Sequence, residues 1–392
     1  MTSSTSPATP AATATTASET HSTSFTSSTS AAPATSSAPA APATSSAPAA
    51  PVLSFENDYS EGAHPAILKA LSDDNLTPRP GYGTDDVCRS ATERIRRWIK
   101  QPEAYVRFLV GGTQANQTII DAIAPPFGAV VAVTSAHVNT HEAGAIEASG
   151  HKVITLPEHD GKMDPDELAA LCDVFDADDN NEHMAVPSCV YVSQSTEYGT
   201  LYDLDELEGL SRVCRSRHLP LIVDGARLGY ALAAAGCDMT AADIAGLADA
   251  FTIGGTKVGA LFGEAAVFPH GAPAPRMTAL IKRHGALLAK GWLLGVQFDV
   301  LLDDDLYLDI ARNADRQADA IRRALTDRGY EIMHSSSTNQ IFVALDARTV
   351  SRLTSRVRLG FMERLDDGRS LMRICTSWAT TDDQTRRLIA LL

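Results

Sequence analysis

Two short polar clusters carry residue types that could do chemistry together. Lys257 follows Gly254-Gly255-Thr256 in an otherwise apolar neighbourhood, and Asp224 opens Asp224-Gly225-Ala226-Arg227 after the apolar run Leu221–Val223. A lysine that forms imines must be partly desolvated, so that its amine is available uncharged. A carboxylate beside a pyridine nitrogen keeps that nitrogen protonated, and the ring can then accept electrons from a carbanion. Together they suit a cofactor such as pyridoxal 5'-phosphate (PLP). The plainer alternatives are a solvated lysine after a turn and an aspartate that caps a helix. Arg227 offers a forked donor for a cofactor oxygen or a substrate carboxylate, with a surface ion pair as its ordinary role.

Other residues add to this set. In Val110-Gly111-Gly112-Thr113 a glycine turn joins a strand to a helix, where backbone N–H groups and the Thr113 hydroxyl could hold a phosphate. His137 ends the next strand and could stack on a planar cofactor or act as a base; capping a helix is its alternative. Nearby, Glu142 is a weaker candidate and His141 reads as a surface residue. Thr196-Glu197 takes the matching strand-end position after Val190–Ser193. Arg373 lies in the apolar run LMRICTSW, where an arginine needs an anion, either a substrate α-carboxylate or a structural partner.

Positioning these residues at strand ends requires a run of βα units. Strands are expected at 106–110, 129–133, 152–156, 189–193, 219–223 and 265–268. Helices are expected at 65–71, 86–100, 164–172 and 204–217, with others after Thr113, through His141 and Glu142, and between the two polar clusters. Asp164-Pro165 fits an N-cap followed by proline at N1. Such alternation predicts an α/β fold with a mostly parallel sheet covered on both faces. Open sheets of this kind place ligands at the carboxyl ends of their strands. Beyond residue 276 the pattern changes to long helices at 277–288 and 306–328, strands at 340–345 and 371–376, and a last helix at 382–391. The expected division is a large domain at 53–300 and a smaller α+β domain at 301–392.

At 392 residues and 44% hydrophobic, the chain can bury a sizeable core. A formal net charge of −15 argues against nucleic acid and anionic membrane surfaces as partners. No apolar run reaches the roughly 18 residues of a membrane span. Six cysteines without a C-x-x-C pair are expected to be reduced, mostly buried thiols of a cytoplasmic protein, forming neither a disulfide framework nor a zinc site. Residues 1–51 are rich in Ser, Thr, Ala and Pro, contain Glu19 as their one Asp, Glu, Lys or Arg, and repeat PATSSAPAA at 33–41 and 42–50. This segment, taken as a tail over 1–52, is expected to be disordered. It lacks the basic and apolar regions of a signal peptide, and no arginine precedes Arg79.

Taken together, the motifs resemble those of a known family. Asn57-Asp58-Tyr59, Tyr82-Gly83 with Asp85, Gly112-Thr113 with Ala115-Asn116, Ala136-His137 with Glu142, Asp224-Gly225-Ala226-Arg227 and Gly254-Gly255-Thr256-Lys257 with Gly259 occur in that family's order. Over about residues 53–392 the chain is similar to the low-specificity L-threonine aldolases, of the β-eliminating-lyase group of fold-type-I PLP enzymes. The resemblance implies an aspartate-aminotransferase-like large domain with Lys257 as the Schiff-base lysine and Asp224 as partner of the pyridine nitrogen. It implies that His137 stacks on the ring, that Gly112, Thr113 and Thr256 help hold the phosphate, and that Arg227 and Arg373 bind the substrate carboxylate. Asp58, Tyr59 and Tyr82 would line the site, often across a subunit interface, and a neighbouring subunit would offer Lys282 and Lys290 to the phosphate. That requires a homodimer or homotetramer. No metal is implied. The chain departs from the family at Ser195-Thr196-Glu197, where several members carry a second active-site histidine; Glu197, His137 and a water are therefore the candidate bases. The implied reaction is retro-aldol cleavage of L-threonine, L-allo-threonine and related β-hydroxy-α-amino acids to glycine and an aldehyde. The alternatives are β-elimination, transamination or racemisation on the same scaffold, or a PLP-binding protein that turns nothing over.

Overall fold

The computed structural model describes residues 52–392, so the segment expected to be disordered lies outside the described residues apart from Val52. In chain order the strands are β1 (Leu53–Phe55), β2 (Tyr105–Leu109), β3 (Gly128–Val133), β4 (Lys152–Leu156), β5 (Val186–Ser193), β6 (Leu221–Asp224), β7 (Ala250–Gly254), β8 (Glu264–Phe268), β9 (Glu331–Ile332), β10 (Gln340–Leu345), β11 (Val357–Arg364) and β12 (Ser370–Cys375). Seven of them form a sheet in the order β2-β8-β7-β6-β5-β3-β4, and five form a second sheet in the order β1-β11-β12-β10-β9.

In the larger sheet β4, β3, β5, β6 and β7 pair in parallel, and β8 runs antiparallel to both β7 and β2. Strands β3, β6, β7 and β8 are buried at every position, as expected of a sheet covered on both faces. The carboxyl ends of β2, β3, β5, β6 and β7 therefore lie along one edge of the sheet. Because β8 is reversed, its first residue reaches the same edge, where Glu264 is paired with Gly254 and Leu109.

Sequence signals set the helix ends. The Asp85 side chain caps the helix Asp86–Trp98, Asp164 caps Pro165–Ala177 with proline at N1, and Asp203 forms a capping box with Glu206. Two expected helices are shorter than their patterns. The one at 277–288 stops at Arg283, ahead of Gly285 at φ +67°. The one through His141 and Glu142 is two single turns, His137–Thr140 and Ala145–Ala148, separated where Ala143 and Gly144 take φ of +52° and +73°.

Two apolar cores fill the described chain, and one helix serves both. In Leu306–Asp327, Tyr307, Ala311 and Ala314 pack in the first core, whereas Ala318, Ile321 and Leu325 pack in the second. The division proposed near residue 300 falls just before this shared helix, while β1 joins the C-terminal sheet through its parallel pairing with β11.

Candidate active site

The loops that leave β6 and β7 are packed backbone against backbone. The Gly254 N–H donates to the Gly225 carbonyl at 2.9 Å, and the Gly225 N–H donates to Thr252 Oγ1 at 2.8 Å. A Cβ on Gly225 would stand 2.0 Å from the Thr252 oxygen, and one on Gly254 would stand 2.2 Å from the Ala226 oxygen. Only glycine allows that approach, and it brings the two polar clusters onto one wall. A cleft of about 400 Å³, open mouth included, lies against it, lined among others by Gly112, His137, Glu197, Asp224, Arg227 and Lys257.

Asp224 is the last residue of β6, 6% exposed, and its Oδ2 accepts from Asn116 Nδ2 at 2.9 Å and from the Tyr191 hydroxyl. Its Oδ1 accepts from the Ala226 N–H at 2.8 Å. Burial would raise this carboxyl, but the bonds from Tyr191 and Asn116 and the charge of Lys257 outweigh it and hold the group below its usual value. Arg227, not Asp224, occupies the N-cap position of the following helix. On the same cleft, burial pushes the Lys257 amine below the usual lysine value, aided by Arg227 and opposed by Asp58, Asp224 and Glu264. Uncharged amine at neutral pH is what imine chemistry needs.

His137 is the first residue of its short helix, with its side chain 38% exposed. Its Nδ1 lies 2.8 Å from Oε1 of Glu142, whose side chain is fully buried and also accepts from Asn116 Nδ2 at 2.9 Å. Glu197 reaches the same corner: Oε1 accepts from the His137 N–H at 2.9 Å and from the Ser193 hydroxyl at 2.8 Å. Burial raises the Glu197 carboxyl despite the opposing bond from Ser193. A buried acid beside a half-exposed histidine puts two groups able to carry a proton in one corner of the cleft. His141, exposed as expected, stacks on His137 with centroids 5.6 Å apart.

At the far end, the helix Gly112–Ile123 starts with no side-chain cap at Gly111, and a Cβ on Gly111 or Gly112 would meet nothing within 4 Å. Its uncapped N–H groups and open space can receive a phosphate. Exposed Thr113 is next to Gly112, whereas Thr256 Oγ1 accepts from the Gly263 N–H at 3.0 Å. With a depressed carboxylate, a lysine held below its usual value, a half-exposed histidine and a phosphate cradle on one cleft, the residues fit PLP.

Other expected residues stand back from the cleft. Asp58 is fully buried behind Arg227, accepting from its Nε at 2.7 Å, its Nη2 at 3.0 Å and Asn339 Nδ2 at 2.9 Å. Burial opposes ionisation, but the Arg227 charge prevails and takes the Asp58 pKa down to about 2. Arg373, on β12, donates to Gln340 Oε1 at 3.3 Å and to the Glu56 carbonyl at 3.1 Å. Its buried Nε has no hydrogen-bond partner, which leaves capacity for an anion. Tyr59 and Tyr82 are more than half exposed, with Tyr82 on a separate cavity and under the Lys282 ammonium, 5.3 Å from its ring centroid. Lys282 and Lys290 are exposed and line no part of this cleft. Tyr191 and Glu264 belong to the site and escape sequence reasoning. Glu264 is 3% exposed, and burial raises its carboxyl to about 8 even against the pull of Lys257.

The β-eliminating lyase family model matches residues 67–348, most of the described chain. The chain belongs to the β-eliminating lyase family. It is 29% identical to a low specificity L-threonine aldolase of Pseudomonas aeruginosa, covering 85% of this chain and 95% of that one. A threonine aldolase structure from Leishmania major is 41% identical and superposes with a TM-score of 0.84, covering 86% of this chain and 98% of that one. Aspartate aminotransferase from Thermus thermophilus, 16% identical with a TM-score of 0.63 over 87% of this chain and 90% of that one, shares the fold. This family member thus has the aspartate-aminotransferase architecture expected from its motifs. Among the described residues no group of three or more His, Cys, Asp or Glu is placed to hold a metal, and no helix is long and apolar enough to cross a membrane.

Proposed function

We propose that the protein cleaves L-threonine, L-allo-threonine and related β-hydroxy-α-amino acids to glycine and an aldehyde, using PLP. The observation that carries this reading is the confrontation of Lys257 and Asp224 on one cleft, by glycine loops that tolerate no side chain, in a chain 41% identical to a threonine aldolase. When bound, PLP supplies an aldehyde that condenses with amines and a ring that draws an electron pair from the substrate's Cα. Lys257 would hold the aldehyde carbon, Asp224 the proton on the ring nitrogen, and His137 one face of the ring. Gly112, Thr113 and Thr256 would hold the phosphate, and Arg227 the ring oxygen or the substrate carboxylate beside Arg373. Glu197 or His137 takes the proton from the β-hydroxyl; the Cα–Cβ bond then breaks, the hydroxyl carbon leaves as the aldehyde, and Cα takes a proton to give glycine. Asp58 holds Arg227 in place.

Exposed Tyr59, Tyr82, Lys282 and Lys290 support a homodimer or homotetramer in which a second copy completes the site. Six unpaired cysteines, five of them buried, support a cytoplasmic location. Glycine and aldehyde should appear from threonine, allo-threonine or phenylserine, without the ammonia and keto acid of β-elimination. Absence of glycine from all three would sink the aldolase reading. Lys257→Ala should abolish the visible absorbance of the bound cofactor; its persistence would remove Lys257 from its role.

A further inference from the structure

One side-chain nitrogen stands between two buried carboxylates, those of Glu142 and Asp224. Asn116 Nδ2 lies 2.9 Å from Glu142 Oε1 and 2.9 Å from Asp224 Oδ2, so its two protons serve two acids. Asn116 is 1% exposed and Glu142 5%. The Tyr191 hydroxyl, 3.3 Å from the same nitrogen, donates to Asp224 Oδ2. Glu142 in turn meets His137 Nδ1 at 2.8 Å. A continuous chain thus runs from His137 through Glu142, Asn116 and Asp224 to Tyr191, and only its first member has substantial contact with solvent. The orientation of the amide is fixed chemically: turned over, its oxygen would face two carboxylates. As placed, its Oδ1 is buried without a partner, as is Glu142 Oε2. The site accepts two unsatisfied oxygens to keep the shared donor.

We propose that Asn116 is a positioning residue that couples Glu142 to Asp224, its one amide bonding both carboxylates so that Asp224 keeps its place and its charge toward the cofactor's ring nitrogen. The inference rests on the cofactor assignment above. Two carboxylate oxygens bound to one nitrogen lie within about 6 Å of each other, and a donor between buried acids that close offsets their repulsion and favours the charged form of Asp224. Without Asn116, Asp224 would lose that donor and carry less charge.

The test reads the ring nitrogen directly. Cofactor labelled with nitrogen-15 in the ring is loaded into the unaltered protein, Asn116→Leu, Asn116→Ser and Asp224→Ala, and its chemical shift is followed from pH 6 to 9. The unaltered protein should hold a protonated nitrogen throughout, and Asp224→Ala an unprotonated one. Asn116→Leu should lower the pH at which the nitrogen loses its proton by about one unit or more. If Asn116→Leu does not fold, Asn116→Ser, too short to span both acids, should shift it in the same direction. A purely structural role would lower thermal stability and leave the nitrogen shift at the unaltered value in the variant that folds, which overturns the proposal alone. No bound label in the unaltered protein overturns the cofactor assignment and this proposal together.

Discussion

At Asp58 and Glu264, burial and charge act in opposite directions, and each has a measurable consequence. Asp58 is depressed to about 2 by Arg227, so its ion pair contributes stability that is complete above the ordinary carboxylate pKa and lost as pH falls through about 2. The shift corresponds to roughly 2 kcal/mol. Asp58→Asn costs more at neutral pH, about 3–5 kcal/mol, because it leaves the Arg227 guanidinium buried without its carboxylate. Urea unfolding at pH 7 and pH 3 should show that gap and its narrowing in acid; a gap independent of pH would separate the shift from the ion pair. Glu264 has the other sign. Its carboxyl is raised to about 8, so the folded state binds the proton more tightly and stability falls as pH climbs from about 4.5 to 8. In cofactor-free protein, Glu264→Gln should remove that decline, becoming more stable than the unaltered chain by a margin that grows from pH 5 to 8. A margin flat with pH would place the Glu264 proton elsewhere.

The glycine loops after β6 and β7 concentrate the site's geometric demands. Gly254→Ala forces a Cβ to 2.2 Å from the Ala226 oxygen, so it should lower the melting temperature sharply and abolish cofactor retention. Gly246→Ala is the matched control, since a Cβ there, in the helix Ala241–Leu247, meets nothing within 4 Å. It should stabilise by about 0.5–1 kcal/mol. Calorimetry of the two variants checks both signs. These loops were legible because they interrupt apolar runs with fixed residue types. The parallel sheet was legible for the same reason, its strands β3, β6 and β7 being mostly apolar and buried at every position. Three strands of the second sheet were not: β9 has two residues, β1 has three, and β11 alternates with exposed positions in a segment as polar as a loop. Glu264 was invisible because its role depends on β8 running backwards, which puts the start of that strand beside the ends of β7 and β2. Glu142 looked weak because a helix was expected through it; the positive φ at Ala143 and Gly144 instead leaves it free to turn inward.

At the scale of the whole molecule, four expected residues that fail to reach the cleft, Tyr59, Tyr82, Lys282 and Lys290, are exposed and open to a second copy. Tyr82 is 52% exposed with Lys282 over its ring, and Lys290 is exposed in the following segment. If they serve a neighbour's phosphate, defects in Lys257 and in the two lysines belong to different chains of one site. Lys257→Ala and the double variant Lys282→Ala, Lys290→Ala should each be nearly inactive alone. Unfolded together and refolded as a mixture, they should associate at random, so about half of the dimers would be mixed. Each mixed dimer has one site with both defects and one with neither. Glycine release should therefore recover to about a quarter of the unaltered rate, with sedimentation showing a dimer or larger. Lysines that act within their own chain would give no recovery, because every site would then hold one defect or the other.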